Sequence, residues 1–150
     1  MTDKASLIPF LVFVLLGGLA IGWLAAPGEW YAGLDKPFFN PPRWVFAPVW
    51  TGLYVLIAIA GWRVWRLEYD GPAMVAWWVQ LTLNFLWSPI FFVAHNLLLA
   101  LVVLLAMLAS ILTFIVLAWP LDRIAAWLLV PYALWAAFAG ALNASILWLN

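Results

Sequence analysis

Leu97 to Trp119 reads LLLALVVLLAMLASILTFIVLAW and holds no charged residue. A helix rises about 1.5 Å per residue, so a run of this length crosses the roughly 30 Å hydrocarbon core of a bilayer. The apolar residues are continuous, not alternating as in the short strands of an outer-membrane barrel. Working outward, four similar stretches appear: Leu7–Ala26, about Trp44–Trp62 between Arg43 and Arg63, about Ala73–Ala94, and about Ile124–Leu147. The reading is an all-α integral membrane protein, a bundle of five transmembrane helices in one domain over residues 1–150. The first run is read as a retained helix, because its apolar core is longer than the roughly 7–15 residues of a signal peptide.

Composition excludes the alternatives. Of 150 residues, 69% are hydrophobic and 8% charged, against about 25% charged in a soluble domain. Six basic and six acidic side chains cannot clothe a soluble surface, and they form no basic stripe. A soluble enzyme, a disordered chain and a nucleic-acid binder are thereby ruled out. There is no cysteine and a single histidine, His95, so no protein metal site is expected. The larger share of positive charge, Lys4, Arg63, Arg66 and Arg123 against Lys36 and Arg43, favours a cytoplasmic N-terminus. The membrane is left open between a bacterial cell membrane and an outer membrane.

The loop Pro27–Arg43 carries Pro27, Pro37, Pro41 and Pro42. Proline fixes φ and biases the preceding residue away from helix. The loop is expected to be stiff and extended, a lid on one mouth of the bundle. No span buries an ionisable residue, which argues against an ion pump or charge-coupled transporter. The polar residues at depth are neutral: Thr51, Tyr54, Gln80, Asn84, Ser88, Tyr132 and Asn143.

Their spacing is helical. Gln80, Asn84 and Trp87/Ser88 share one face of the third span, Pro131, Trp135, Ala139 and Asn143 roughly one face of the fifth, and Trp50 and Tyr54 one face of the second. Counted from the lid, Trp50 and Trp87 lie roughly 10 Å deep, and Tyr54, Asn84 and Trp135 roughly 15–18 Å deep. Apolar and aromatic walls with a few polar groups make a pocket. Interhelical packing is the competing reading of the same side chains. Among thirteen tryptophans, Trp23, Trp30, Trp44, Trp62, Trp65, Trp77, Trp78, Trp119, Trp127 and Trp148 sit near span ends and read as interfacial belts. Gly18 with Gly22, and Ala136 with Gly140 and Ala144, read as ridges for close helix packing. His95 reads as a capping or interfacial residue, and Pro89 and Pro131 as kinks.

Three stretches carry a resemblance: WYAGLDKPFFNPPRWVFAPVWTGLY at Trp30–Tyr54, QLTLNFLWSPIFF at Gln80–Phe92, and PYALWAAFAGALN at Pro131–Asn143. Together they resemble the tryptophan-rich sensory protein (TspO/MBR) family, the relatives of the mitochondrial translocator protein or peripheral benzodiazepine receptor. The resemblance implies a five-helix fold, a homodimer, and a cavity closed by the first loop. It implies a receptor that binds protoporphyrin IX, haem and related hydrophobic ligands in tetrapyrrole handling, with porphyrin or haem as ligand and no required cofactor. Sterols and isoquinoline carboxamides are further implied ligands. By matching position, Trp30 and Tyr31 fall in the lid, Trp50 and Trp135 are two pocket indoles implicated in light-dependent porphyrin breakdown, Asn84 and Trp87 lie on the third-helix wall, and Ala139 is a small-residue site. Tyr54 and Asn143 complete the set with Phe38, which follows Lys36-Pro37 where the family often has tryptophan. The cholesterol motif proposed for the last helix needs Tyr and then Lys/Arg, and Leu142–Asn150 has neither. The alternatives are a light- and oxygen-dependent porphyrin-degrading activity, a porphyrin or sterol transporter, and a ligand-free scaffold.

Overall fold

The computed structural model describes residues 3–150. Its long helices are α1 (Asp3–Leu24), α3 (Arg43–Trp65), α4 (Pro72–Ser88), α5 (Leu97–Ala118) and α7 (Val130–Leu149), with short α2 (Glu29–Ala32) in the first loop and α6 (Arg123–Leu128) leading into α7. No strand occurs among the described residues. Five segments are long and apolar enough to cross a bilayer: Lys4–Leu24, Arg43–Trp65, Pro72–Val93, Leu97–Ala118 and Arg123–Leu149. The chain is a multi-pass integral membrane protein. In a medium without water, helices satisfy every backbone group internally, which is why these runs take this form.

Proline shapes two of the spans. Pro89 lacks an N–H, and the third span finishes as a π-helical turn over Pro89–Val93, with the Ala94 N–H donating to the Pro89 carbonyl at 2.9 Å. The fifth span breaks at Leu129 between α6 and α7, just before Pro131. The first expected kink is thus a local change of helix type, and the second a one-residue break between two α-helices. After the π turn, His95 adopts φ 56°, the left-handed conformation, and Asn96 caps α5 by accepting from the Leu99 N–H at 2.9 Å.

Packing falls into two groups. α1 lies along α3, while α4, α5 and α7 pack together. α6 joins the groups at the end away from the first loop, where it touches α3 and α5. Small buried residues let the helices close there: Ala58, Ala60, Ala118, Ala125 and Ala126 are all fully buried. Asp122 caps α6 by accepting from the Ile124 and Ala125 N–H groups. The same carboxylate receives the Arg63 Nε at 2.7 Å. Burial alone would raise the Asp122 carboxyl, but Arg63 and these two amides outweigh it and hold it below the usual aspartate value.

The belt expectation holds for seven of the ten tryptophans at span ends, which are exposed, and fails for Trp62, Trp77 and Trp30. Trp77 is fully buried and donates Nε1–H to the Ile57 carbonyl at 2.9 Å. It fits because Gly61 faces it: a Cβ at Gly61 would stand 2.3 Å from the indole. Trp62 is buried and donates to the Ser6 hydroxyl at 2.8 Å. Period-based depth could not separate these plugs from belt residues, since a helix end can face the bundle as well as the lipid.

Candidate functional site

At the lid end α3 and α7 touch only sparsely. Aromatic side chains hold the two groups apart, and a cavity of about 440 Å³ lies between them. Its walls come from α1, α3, α4, α5 and α7, with Pro27, Tyr31 and Asn40 of the first loop over it. The volume falls within the roughly 300–1,000 Å³ of small-molecule pockets.

Eight expected residues meet here: Tyr31, Trp50, Tyr54, Asn84, Trp87, Trp135, Ala139 and Asn143 all line the cavity. Two stand outside the lining. Trp30 lies behind the lid, its ring stacked on His95 with centroids 4.1 Å apart and planes 11° apart. Phe38 is fully exposed at the lid tip.

Each wall is fixed by polar ties between helices. The Tyr54 hydroxyl donates to Asn84 Oδ1 at 3.1 Å, and Asn84 Nδ2 donates to the Tyr132 hydroxyl at 2.7 Å, so one amide joins α3, α4 and α7. Higher up, Trp87 Nε1 donates to Asn143 Oδ1 at 3.0 Å and Asn143 Nδ2 donates to the Leu97 carbonyl at 3.0 Å, joining α4, α5 and α7. Tyr54 reaches its place because Gly18 is bare: a Cβ there would lie 2.3 Å from the ring. Gly18 therefore serves packing, as its spacing suggested. Gly22 differs, for a Cβ there meets nothing within 4 Å and the residue lines the cavity.

The loop is less extended than its prolines implied, because Glu29–Ala32 forms the helical turn α2. This turn seats the lid. Tyr31 packs edge-on against Phe92 at 5.3 Å, and Trp30 meets both His95 and Phe91. The π turn and the left-handed His95 thus form the platform that receives the lid. Lys36 lies 4.5 Å from the centre of the Tyr31 ring and donates to the Leu34 carbonyl at 3.1 Å. The Asn150 side chain accepts from the Asp35 N–H and donates to the Asp35 carbonyl, clasping the lid to the end of α7. Burial pushes the Tyr31 phenol up, and the Asn40 amide and the Arg43 charge partly offset it.

Two buried polar atoms on lining residues have no hydrogen-bond partner: the Trp135 indole nitrogen and Asn40 Oδ1. A buried donor without a partner costs about 1–3 kcal/mol, so a ligand that supplies an acceptor gains from Trp135. Gln80 also lacks partners and is fully buried, but it lies outside the cavity lining. Trp50 lies near both hub tyrosines, 5.5 Å from Tyr54 and 6.3 Å from Tyr132 by ring centres. Trp135 packs on Phe46 and Phe138 at 5.9 and 5.5 Å. No group of three or more His, Asp or Glu suited to a metal ion exists among the described residues.

Residues 10–149 match the model of the TspO/MBR family. The chain belongs to this family. It is 41% identical over 143 residues to the tryptophan-rich sensory protein of Cereibacter sphaeroides, covering 94% of this chain and 90% of that one. It is 40% identical over 149 residues to the tryptophan-rich protein TspO of Archaeoglobus fulgidus, covering 97% of each. Human translocator protein is 38% identical over 147 residues, covering 91% of this chain and 86% of the human one.

Sequence reasoning left out of the site Tyr132, which holds the wall from behind through Asn84, and two groups of lining residues. Tyr132 was visible as a neutral polar residue at depth, and its place three residues before Trp135 was the available signal. Asn40 lines the cavity from the lid end, where the sequence offered only a Pro-rich run; of Lys36 and Arg43, the two cations the sequence offered for ligand carboxylates at the mouth, Arg43 lines the cavity and Lys36 does not. The α1 face, with Leu19 and Gly22, also lines it. Its glycine spacing pointed equally well to helix packing.

Proposed function

We propose that this TspO/MBR membrane protein binds porphyrin-type ligands, protoporphyrin IX or haem, in the cavity beneath the lid. The observation that carries the reading is Trp135, an indole that lines the same cavity as Trp50 and whose buried N–H has no partner. A flat macrocycle presents π faces to the indoles and acceptor atoms to the free donor, and aromatic pairs of this kind add about 0.5–1.5 kcal/mol beyond area burial. The carboxylates of such a ligand need cations at the mouth. Arg43 lines the cavity and meets that need. The remaining hydrogen-bonding side chains of the wall largely satisfy one another, which leaves the surface apolar to the ligand.

The test is a titration of the purified protein with protoporphyrin IX, read by quenching of tryptophan fluorescence. Trp135→Phe keeps the ring and removes the donor, and is expected to weaken binding about tenfold, or roughly 1.4 kcal/mol. Trp50→Phe is expected to weaken it by a similar factor. A saturable curve that neither substitution moves would place the ligand elsewhere and overturn this reading.

A further inference from the structure

The cavity is open on one side, and that side faces lipid. Arg43, Ala47 and Thr51 follow one another at four-residue intervals on α3, and all three are both exposed and part of the cavity lining. Opposite them on α1, Leu19 and Gly22 are likewise exposed and lining. These positions lie within the membrane-crossing segments Lys4–Leu24 and Arg43–Trp65. A wall residue exposed at such a depth marks a sideways window into the bilayer. The window exists because Gly22 on one rim and Ala47 and Thr51 on the other are small. One helical turn closer to the bundle centre, Gly18 meets Tyr54 and the helices close, whereas a Cβ at Gly22 would meet nothing within 4 Å.

The chemistry along the window is graded. Thr51 spends its hydroxyl on the Ala47 carbonyl at 2.8 Å, so the deep rim offers only apolar surface. Arg43 stands about 12 Å higher, where α3 begins, at the level of lipid headgroups. It makes no ion pair among the described residues. A cation at headgroup level above a narrow apolar slot suits one amphiphile, a molecule with an anionic group at the interface and a chain below it.

The geometry points to a membrane phospholipid as a second occupant of this protein: its phosphate sits on Arg43 and one acyl chain passes between Gly22 and Thr51 into the cavity. The occupant enters from the bilayer, not from under the lid. The inference rests on the window, and because it uses the same cavity and the same Arg43 as the porphyrin reading, the two occupants are alternatives.

The experiment uses the full chain in phosphatidylcholine vesicles doped with a phosphatidylcholine that carries a photoactivatable diazirine in mid-chain. Crosslinks are mapped by peptide mass spectrometry. Met107 is the reporter, since it lines the cavity and is only 1% exposed, so belt lipid cannot reach it. Labelling of Met107 is expected, with loss of that label in Gly22→Leu and in Thr51→Leu, while Leu105, half exposed and outside the cavity lining, stays labelled in both. The two variants narrow the window from opposite rims, so either one decides if the other does not fold. Crosslinks confined to lipid-facing residues such as Leu105, or a Met107 label that survives in a folded window variant, would overturn the inference. A diacylglycerol bearing the same diazirine is expected to label Met107 less than the phospholipid does, and Arg43→Gln to abolish that difference. Equal labelling by both probes in the unsubstituted protein would overturn the phosphate contact. Met107 labelling without a porphyrin titration keeps the lipid and removes the porphyrin, and the converse result does the reverse.

Discussion

The two ends of this bundle are built from the same few residue types, yet one end is solid and the other hollow. At the end held by α6, Trp77 fills the space over Gly61 and is fully buried. At the lid end, Trp50 and Trp135 border a cavity of about 440 Å³. The difference lies in what faces each indole. Alanines and a glycine let helices close until a tryptophan becomes a plug. Rings meeting rings hold helices apart, and the indoles become walls. Interior groups left with unused hydrogen-bonding capacity then acquire meaning at the hollow end, where they belong to residues of a cavity wall.

Substitutions that test this contrast can be ranked by size. Trp77→Ala is expected to cost about 3–5 kcal/mol of stability in detergent unfolding, since it empties a packed site. Trp135→Ala, which borders existing space, should cost only about 1–2 kcal/mol. Equal losses would erase the distinction between plug and wall. Asn84→Leu strips the partner from Tyr54 and Tyr132 together, and a loss of about 1–3 kcal/mol is expected by the same measurement.

Asp122→Ala removes the α6 cap and the partner of Arg63, and should cost about 1–2 kcal/mol. Its pH dependence has a definite sign. The folded carboxyl titrates below its ordinary value of 3.8, so its contribution is complete above that value and is lost as pH falls toward the folded one. Acid unfolding curves of Asp122→Asn should be flatter over that interval than those of the unsubstituted protein. The smallest expected effect has the opposite sign. Gln80→Met replaces a fully buried amide that has no partner and should gain about 1 kcal/mol. A loss there would show that Gln80 holds a buried water.

Much of the fold was legible before any coordinates. Uncharged apolar runs of membrane length have one outcome in lipid, and the five spans fall within a few residues of where hydropathy put them. Helical spacing also brought Trp50, Tyr54, Asn84, Trp87, Trp135, Ala139 and Asn143 to the right walls, because period 3.6 fixes a face. Spacing could not say what a face meets. It gave Trp77 and Trp62 to the lipid interface. It gave Gly22 the same role as Gly18, and it placed Gln80 with Asn84. Trp30 and Phe38 show the same limit in the lid, where no period applies and α2 decided which side turned inward.

Composition and the order of apolar runs therefore determined the solvent, the helices and their number, because the cost of exposing backbone or charge to hydrocarbon depends only on the local chain. Whether two helices touch or part depends on pairs of side chains far apart in sequence, Gly61 with Trp77 or Gly18 with Tyr54. Only the tertiary structure decided those pairs, and with them the position of the cavity and the side on which it opens.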